Sequence, residues 1–441
     1  MTWKTFKNAI LGDTPQVSTR VSDLDIAKLK MVEPVTRKFS GYKTCLYFGQ
    51  WSIYSNHTPK DVNLSLATNI FYSFFNIDPN TGEVLLGDPW ADIQKPFPSL
   101  YEKNVHYKGL LSRFYEIKHN NRNVKVSMSI GGWSNKDNFA CGLANTEKLT
   151  RFVQTAIDMM MKYGFDGIDL DWEYPSNPKE ATIYLTLVRQ LRYALRQVEL
   201  EKQLAQDTFL LTMACPAYDE KLDLLDINDI DQYLSFWNMM TYDFSGEWSS
   251  IAGYHCNLYK TKEDELCADD AIKYMIKKGV DSRKLILGMA MYGRPQAHTE
   301  GYGFKAHGVP SGTEDGCFMY NKLPLPGCKE LYNRDVVSAY CYSAKDKVFC
   351  SYDNVESVRI KAIYVRNKRL GGGMFWESRG DLRQEHRSLL ASFVKGVGGV
   401  QALENVLNVT GCYTDSEFTC QFPVQYNIRD TVAMSPDEIS L

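Results

Sequence analysis

Eight short runs rich in β-branched and aromatic residues recur along the chain, at residues 44–49, 68–76, 124–131, 165–172, 209–214, 234–242, 285–291 and 373–376. Amphipathic stretches lie between many of them, most clearly at 109–120, 147–163, 178–198, 263–278, 356–367 and 382–395. Strands that alternate with helices pair in parallel through crossover connections. Eight such units predict an α/β fold of the (β/α)8, or TIM-barrel, type over residues 38–396. A doubly wound open sheet is the competitor, but it has fewer strands and a phosphate loop after the first one.

One interval breaks the rhythm. Residues 295–353 lack a long helical pattern and are dense in Gly, Pro, Tyr and Cys. They fall between the seventh strand and the last barrel helices, which predicts an inserted α+β subdomain beside the barrel mouth. Residues 1–37 form an N-terminal extension outside the repeat. Gly396, Gly398 and Gly399 mark the start of a C-terminal tail, 397–441.

The strongest local signal is the run from Phe165 to Pro175. Side chains on a strand alternate between faces, so Asp169, Asp171 and Glu173 point one way and Ile168, Leu170 and Trp172 the other. In a parallel barrel the apolar set packs on helices and the three acids face the interior. Carboxyls crowded in a dry interior raise one another's pKa, which leaves Glu173, at the C-terminal end, fit to act as an acid near neutrality. Barrel enzymes place their chemistry at that end. A solvated edge strand and a hard-cation site are the competing readings of the same row. Asp166 has the opposite parity and is read as structural.

Further segments accompany the row in barrel order. They are Ser127-Met128-Ser129-Ile130-Gly131-Gly132-Trp133, Met240-Thr241-Tyr242-Asp243, Met291-Tyr292-Gly293-Arg294 and Gly372-Gly373-Met374-Phe375-Trp376-Glu377. Together with Asp166, Asp169, Asp171 and Glu173 this set resembles the motifs of glycoside hydrolase family 18, the chitinases, and most closely the fungal, yeast-type branch. The resemblance implies a retaining hydrolase of β-1,4 linkages between N-acetylglucosamine units, in which the substrate's own acetamide is the nucleophile. It implies that Glu173 is the general acid and base, with Asp171, Asp169 and Tyr242 catalytic beside it. Tyr47, Phe74, Trp133, Met240, Asp243, Tyr292, Arg294 and Trp376 are the implied substrate-binding residues, with Trp376 as the floor under the reactive sugar. Chitin and its oligosaccharides are the implied partners. Lectins that keep the barrel but lose the acid are one alternative, and endo-β-N-acetylglucosaminidases that cut N-glycan cores are another.

Other classes find little support. Lys and Arg number 50 against 53 Asp and Glu, a net charge of -3, so no global field favours nucleic acid or an anionic membrane. No apolar run reaches about 18 residues, the length needed to span a bilayer. No signal-peptide pattern opens the chain, which makes an intracellular location the default expectation and an extracellular or wall-associated one the alternative. Metal and cofactor motifs are absent, so neither is expected, and a monomer is. Cys317, Cys328, Cys341 and Cys350 crowd one region, and Cys412 and Cys420 sit close in the tail.

Overall fold

The computed structural model describes residues 33–36 and 38–409. Its centre is a closed barrel of parallel strands: β1 Lys43–Gly49, β2 Asn69–Ile77, β3 Lys125–Gly131, β4 Gly167–Asp171, β5 Leu210–Cys215, β6 Phe236–Met239, β7 Leu285–Ala290 and β8 Gly372–Trp376. Each strand pairs with the next in chain order, and β8 returns to β1 with Lys43 opposite Gly372 and Leu46 opposite Phe375. The predicted TIM barrel is therefore the fold.

Two strands are shorter than their apolar runs by more than one residue. β4 stops at Asp171 and β6 at Met239. At β6 the reason is visible: Met240 N–H still reaches Cys215 O, but Thr241 N–H bonds back to Met239 O and the ladder ends. Glu173, Met240 and Tyr242 thus stand in the loops of the C-terminal mouth, not on strands.

Strand parity separates two cores. Ile168, Leu170, Leu211 and Leu287 pack outward, in one large cluster with helix residues such as Phe152 and Leu191. Tyr47, Phe71, Leu210, Phe236, Ile286 and Met374 fill the barrel interior. Among the covering helices are α1 Gly109–Asn120, α2 Thr146–Tyr163, α3 Pro178–Glu201, α4 Ala268–Lys277, α5 Val355–Asn367 and α6 Leu389–Val397. Their ends follow capping chemistry. Asn145 and Asn177 accept N–H bonds at the starts of α2 and α3, and Gly164 ends α2 in the left-handed region at φ 69°. Two helices begin later than their patterns predict. The Glu265 carboxylate accepts the Lys262 N–H and holds a loop ahead of α4. Asp381 accepts both the Ser388 hydroxyl and Leu389 N–H, so that Ser388 becomes the cap of α6.

The insertion begins at Tyr292, directly after β7. Its antiparallel sheet has the order Phe318–Met319, Tyr292–Gln296, Val348–Tyr352, Ser338–Ser343, Glu330–Asn333. The α-helical part of the expected α+β unit lies outside the predicted bounds. Between Gln296 and Asp353 only a 3-10 turn, Tyr320–Lys322, interrupts the strands and loops, and α5 follows. Cys317, Cys328, Cys341 and Cys350 are free thiols, whereas Cys412 and Cys420 lie outside the described residues.

The tail does not start where the glycines suggest. Gly396 lies inside α6, and the chain then crosses the barrel floor. There Glu404 bridges Lys43 at 2.9 Å and Lys125 at 3.2 Å, from β1 and β3. Asn408 is buried, and its amide donates to the carbonyls of Lys118 and Val124, both at 2.7 Å. Asp166 joins the same floor: its carboxylate accepts Val126 N–H and Val409 N–H and pairs with Lys118 at 2.9 Å. Both charged side chains are almost fully buried. Asp166→Ala strands the Lys118 charge, so unfolding should lose about 3–5 kcal/mol. A lower urea midpoint at unchanged slope would show this; an unaltered midpoint would contradict a structural role.

Candidate active site

The mouth of the barrel is organised around β4. Asp169, inside the barrel, accepts Tyr47 OH at 2.8 Å and Ser129 OH at 2.7 Å on Oδ2, and Thr212 OH at 2.6 Å and Asn238 N–H at 3.4 Å on Oδ1. These donors come from β1, β3, β5 and β6. Burial raises its carboxyl above the usual range, against these hydrogen bonds, which favour the charged form. Asp171, one step nearer the mouth, is buried, and its Oδ1 has no hydrogen-bond partner. Burial and then the neighbouring charges of Glu173 and Asp169 hold its carboxyl well above the ordinary value. Of the two, Asp171 is the better place for a proton.

Glu173 follows the end of β4 and is half-buried. Burial pushes its carboxyl up to about 7, while the Tyr174 hydroxyl and the Trp133 backbone N–H favour its charged form. The backbone can crowd this close because two glycines precede Trp133. A Cβ on Gly131, at φ 122°, would lie 2.2 Å from Asp171 O, and one on Gly132, at φ 80°, would lie 2.4 Å from the Phe74 ring.

Aromatic rings form one wall. Phe74 stacks on Trp376 at 5.6 Å between ring centres and on Trp51 at 5.9 Å, and Tyr47 meets Trp376 at 5.4 Å. A register shift between Tyr72 and Phe75 in β2 turns Phe74 toward the mouth while Phe75 packs outside the barrel. Trp51, Phe74 and Trp376 remain partly exposed, as a sugar platform requires. Trp133 stands at the rim, 60% exposed.

The opposite wall is polar. Asp243 adopts φ 60° and accepts Tyr292 OH at 2.7 Å, while Arg294 grips both of its oxygens, Nε to Oδ1 at 2.7 Å and Nη2 to Oδ2 at 2.8 Å. Burial opposes the charge, but Arg294 and His255 hold the Asp243 carboxyl well below the usual range. Met240 and Tyr242 line the interior between the walls, with the Tyr242 hydroxyl 3.7 Å from Met374 Sδ.

The structure thus gathers the acidic row, Tyr47, Phe74, Met240, Tyr242, Asp243, Tyr292, Arg294 and Trp376 at one mouth. Sequence reasoning did not single out Ser129 and Thr212, because a Ser or Thr on a strand carries no local sign of its partner. It also missed Arg379, which ties Glu377 at 3.1 Å, Ser55 at 3.0 Å and Glu314 at 2.8 Å, joining the loops after β8 and β1 to the insertion.

A barrel with coupled carboxyls at its C-terminal mouth, between an aromatic wall and a hydrogen-bonding one, is built to cut carbohydrate. The comparisons with known proteins agree. Residues 43–381 match the model of the glycosyl hydrolases family 18. The chain is 39% identical over 395 residues to sporulation-specific chitinase 2 of Saccharomyces cerevisiae, covering 80% of this chain and 77% of that one. It is 35% identical over 396 residues to endochitinase 1 of Metarhizium robertsii, covering 88% and 92%. Among solved structures, chitinase ChiA74 from Bacillus thuringiensis superposes with a TM-score of 0.73 at 27% identity, over 81% of this chain and 70% of that one. A Cycas revoluta chitinase in complex with (GlcNAc)3 does so with 0.67 at 28% identity, over 82% and 98%. The chain belongs to glycosyl hydrolase family 18 and is a glycosidase.

The Arg294–Asp243 clamp makes a linkage prediction. A carboxyl held below its unfolded pKa stabilises the fold above that value, and the benefit is lost as pH falls through the folded pKa. Arg294→Gln removes most of it. The variant should melt below the wild type at pH 5–8, and the gap should close in acid, below about pH 4. Thermal melts across that range check it; a gap that widens in acid would contradict the clamp.

Proposed function

We propose that this glycosidase is a chitinase that hydrolyses β-1,4 links between N-acetylglucosamine units by retaining, substrate-assisted catalysis. The observation that carries the reading is the pairing of Glu173, poised near neutrality, with Asp171, whose buried oxygen lacks a partner. Most retaining glycosidases set two carboxylates across the scissile bond, and this family departs from that rule. Here Asp171 and Asp169 are strand neighbours, about 7 Å apart at Cα by strand rise, and sit beneath Glu173 on one side.

In this reading each group has a role. Glu173 donates its proton to the leaving glycosidic oxygen. The sugar's acetamide carbonyl attacks the anomeric carbon and closes a cyclic oxazolinium ion. Asp171 accepts the acetamide N–H through its free oxygen, which orients the nucleophile and steadies the positive ring. The four donors to Asp169 favour its charged form and so favour the proton on Asp171, and the two titrate as a pair. Tyr242 donates to the acetamide oxygen. Water then opens the ring, with Glu173 as base. Trp376 lies under the reactive sugar, and Tyr47, Phe74, Met240, Asp243, Tyr292 and Arg294 hold the chain around it. The neighbours from Cycas revoluta support the substrate class, since one holds (GlcNAc)3 and another allosamidin. The inserted sheet carries Tyr292 and Arg294 and raises one side of the mouth into a cleft suited to a polymer. A lectin of the same fold has no use for an acid at Glu173, which is the feature that favours an enzyme.

Glu173→Gln should fold and bind the N-acetylglucosamine hexamer but lose at least a thousandfold in kcat, and wild-type kcat/KM should fall as pH rises through about 7. Hexamers of glucose or of glucosamine should not be cut. A Glu173→Gln enzyme with a tenth of wild-type activity, or glucose hexamer cleaved near the N-acetyl rate, would defeat the assignment. Release of N-glycans with the N-acetyl hexamer left intact would favour the glycan-core reading.

A further inference from the structure

The loop that leaves β3 turns at Trp133–Asn135 and enters the short helix Lys136–Gly142. Lys136 stands at the junction. Its Nζ lies 3.9 Å from the centre of the Trp133 ring, close enough for a strong cation–π contact. No carboxylate among the described residues lies within ion-pair distance of it, so the charge is held by the ring and not neutralised. Gly131 pairs with Asp171, and Gly132 N–H donates to Asp171 O at 2.8 Å, so the loop leaves β3 beside the end of β4, two residues before Glu173. The Trp133–Lys136 pair thus flanks the acid that protonates the leaving oxygen, with Trp133 60% exposed at the rim.

Chitin and its deacetylated form differ at one group of each sugar. An acetamide is neutral, whereas a free amine carries a positive charge in neutral or mildly acidic solution. On the reactive sugar the acetamide is demanded by the chemistry itself. On the leaving side nothing in the mechanism distinguishes the two, and an unneutralised cation there does. We propose that Lys136 is a specificity-determining residue, selecting neutral N-acetylated sugars and rejecting glucosamine on the leaving-group side of the scissile bond. The inference deepens the chitinase reading and rests on it. Like charges several ångströms apart at a half-buried site repel enough to bias selection by about five- to tenfold, and the bias should weaken in high salt.

The test is digestion of a partly deacetylated chitin polymer by wild type, Lys136→Gln, Lys136→Glu and Lys136→Arg enzymes, with both new chain ends identified. New reducing ends come from the reactive sugar and should be N-acetylated for every variant. New non-reducing ends come from the leaving side. There the odds of glucosamine should rise about fivefold in Lys136→Gln, rise further in Lys136→Glu, and stay at the wild-type level in Lys136→Arg, with the differences shrinking in 1 M salt. Equal glucosamine odds in wild type, Lys136→Gln and Lys136→Glu would overturn the proposal while leaving the chitinase reading intact. Glucosamine at the new reducing ends would instead defeat substrate assistance, and no cleavage by any variant would remove both.

Discussion

Asp169 and Asp171 place two carboxyl groups in the interior of a closed barrel, and the rest of the site answers to that burial. Two charges there would repel each other in a medium that screens them poorly. The fold resolves the conflict unequally. Asp169 receives donors from Tyr47, Ser129, Thr212 and Asn238. Asp171 receives none on Oδ1 and is pushed toward its neutral form. The inequality needs a closed barrel, because the four donors stand on four different strands. The asymmetry leaves one buried carboxyl oxygen of Asp171 without a hydrogen-bond partner.

The remaining architecture keeps this pair dry and gives it access at one end only. Below it, Asp166, Lys118, Lys125, Glu404 and Asn408 close the floor with buried charge and amide bonds. Above it, the walls differ in kind: stacked rings from β2, β8 and the loop after β1 on one side, and the clamped Asp243 with the inserted sheet on the other. A flat apolar wall suits the face of a sugar ring, and a polar wall suits its hydroxyls. Arg379 links the loop after β1, the loop after β8 and the insertion at one point, so the parts of the cleft are mutually fixed.

What the sequence disclosed was periodic or contiguous. The alternation of apolar runs with amphipathic ones is a local pattern, and it delivered the barrel. The parity of Asp169, Asp171 and their apolar neighbours assigned inside and outside correctly, and the opposite parity of Asp166 set it apart from the row. Tertiary events were opaque. The donors to Asp169 lie 40 to 122 residues away in the chain. Glu404, in a segment expected to be tail, became the floor because Lys43 and Lys125 meet there from separate strands. Helix starts slipped where a side chain outcompeted the backbone pattern, as Asp381 does at Ser388 and Leu389. Nothing in the sequence around Lys136 signals the Trp133 ring that the fold sets beneath its ammonium.

The central claim is that the nucleophile belongs to the substrate and that Asp171 positions it. A cyclic intermediate shields one face of the anomeric carbon, so water can enter only from the other and the product keeps its configuration. Proton NMR of the N-acetylglucosamine hexamer, recorded in the first seconds after mixing with enzyme and before mutarotation, reads that configuration directly. The account predicts that the new reducing ends appear first as the β-anomer and equilibrate later. An initial burst of the α-anomer would mean that water attacks the substrate itself, and would contradict it.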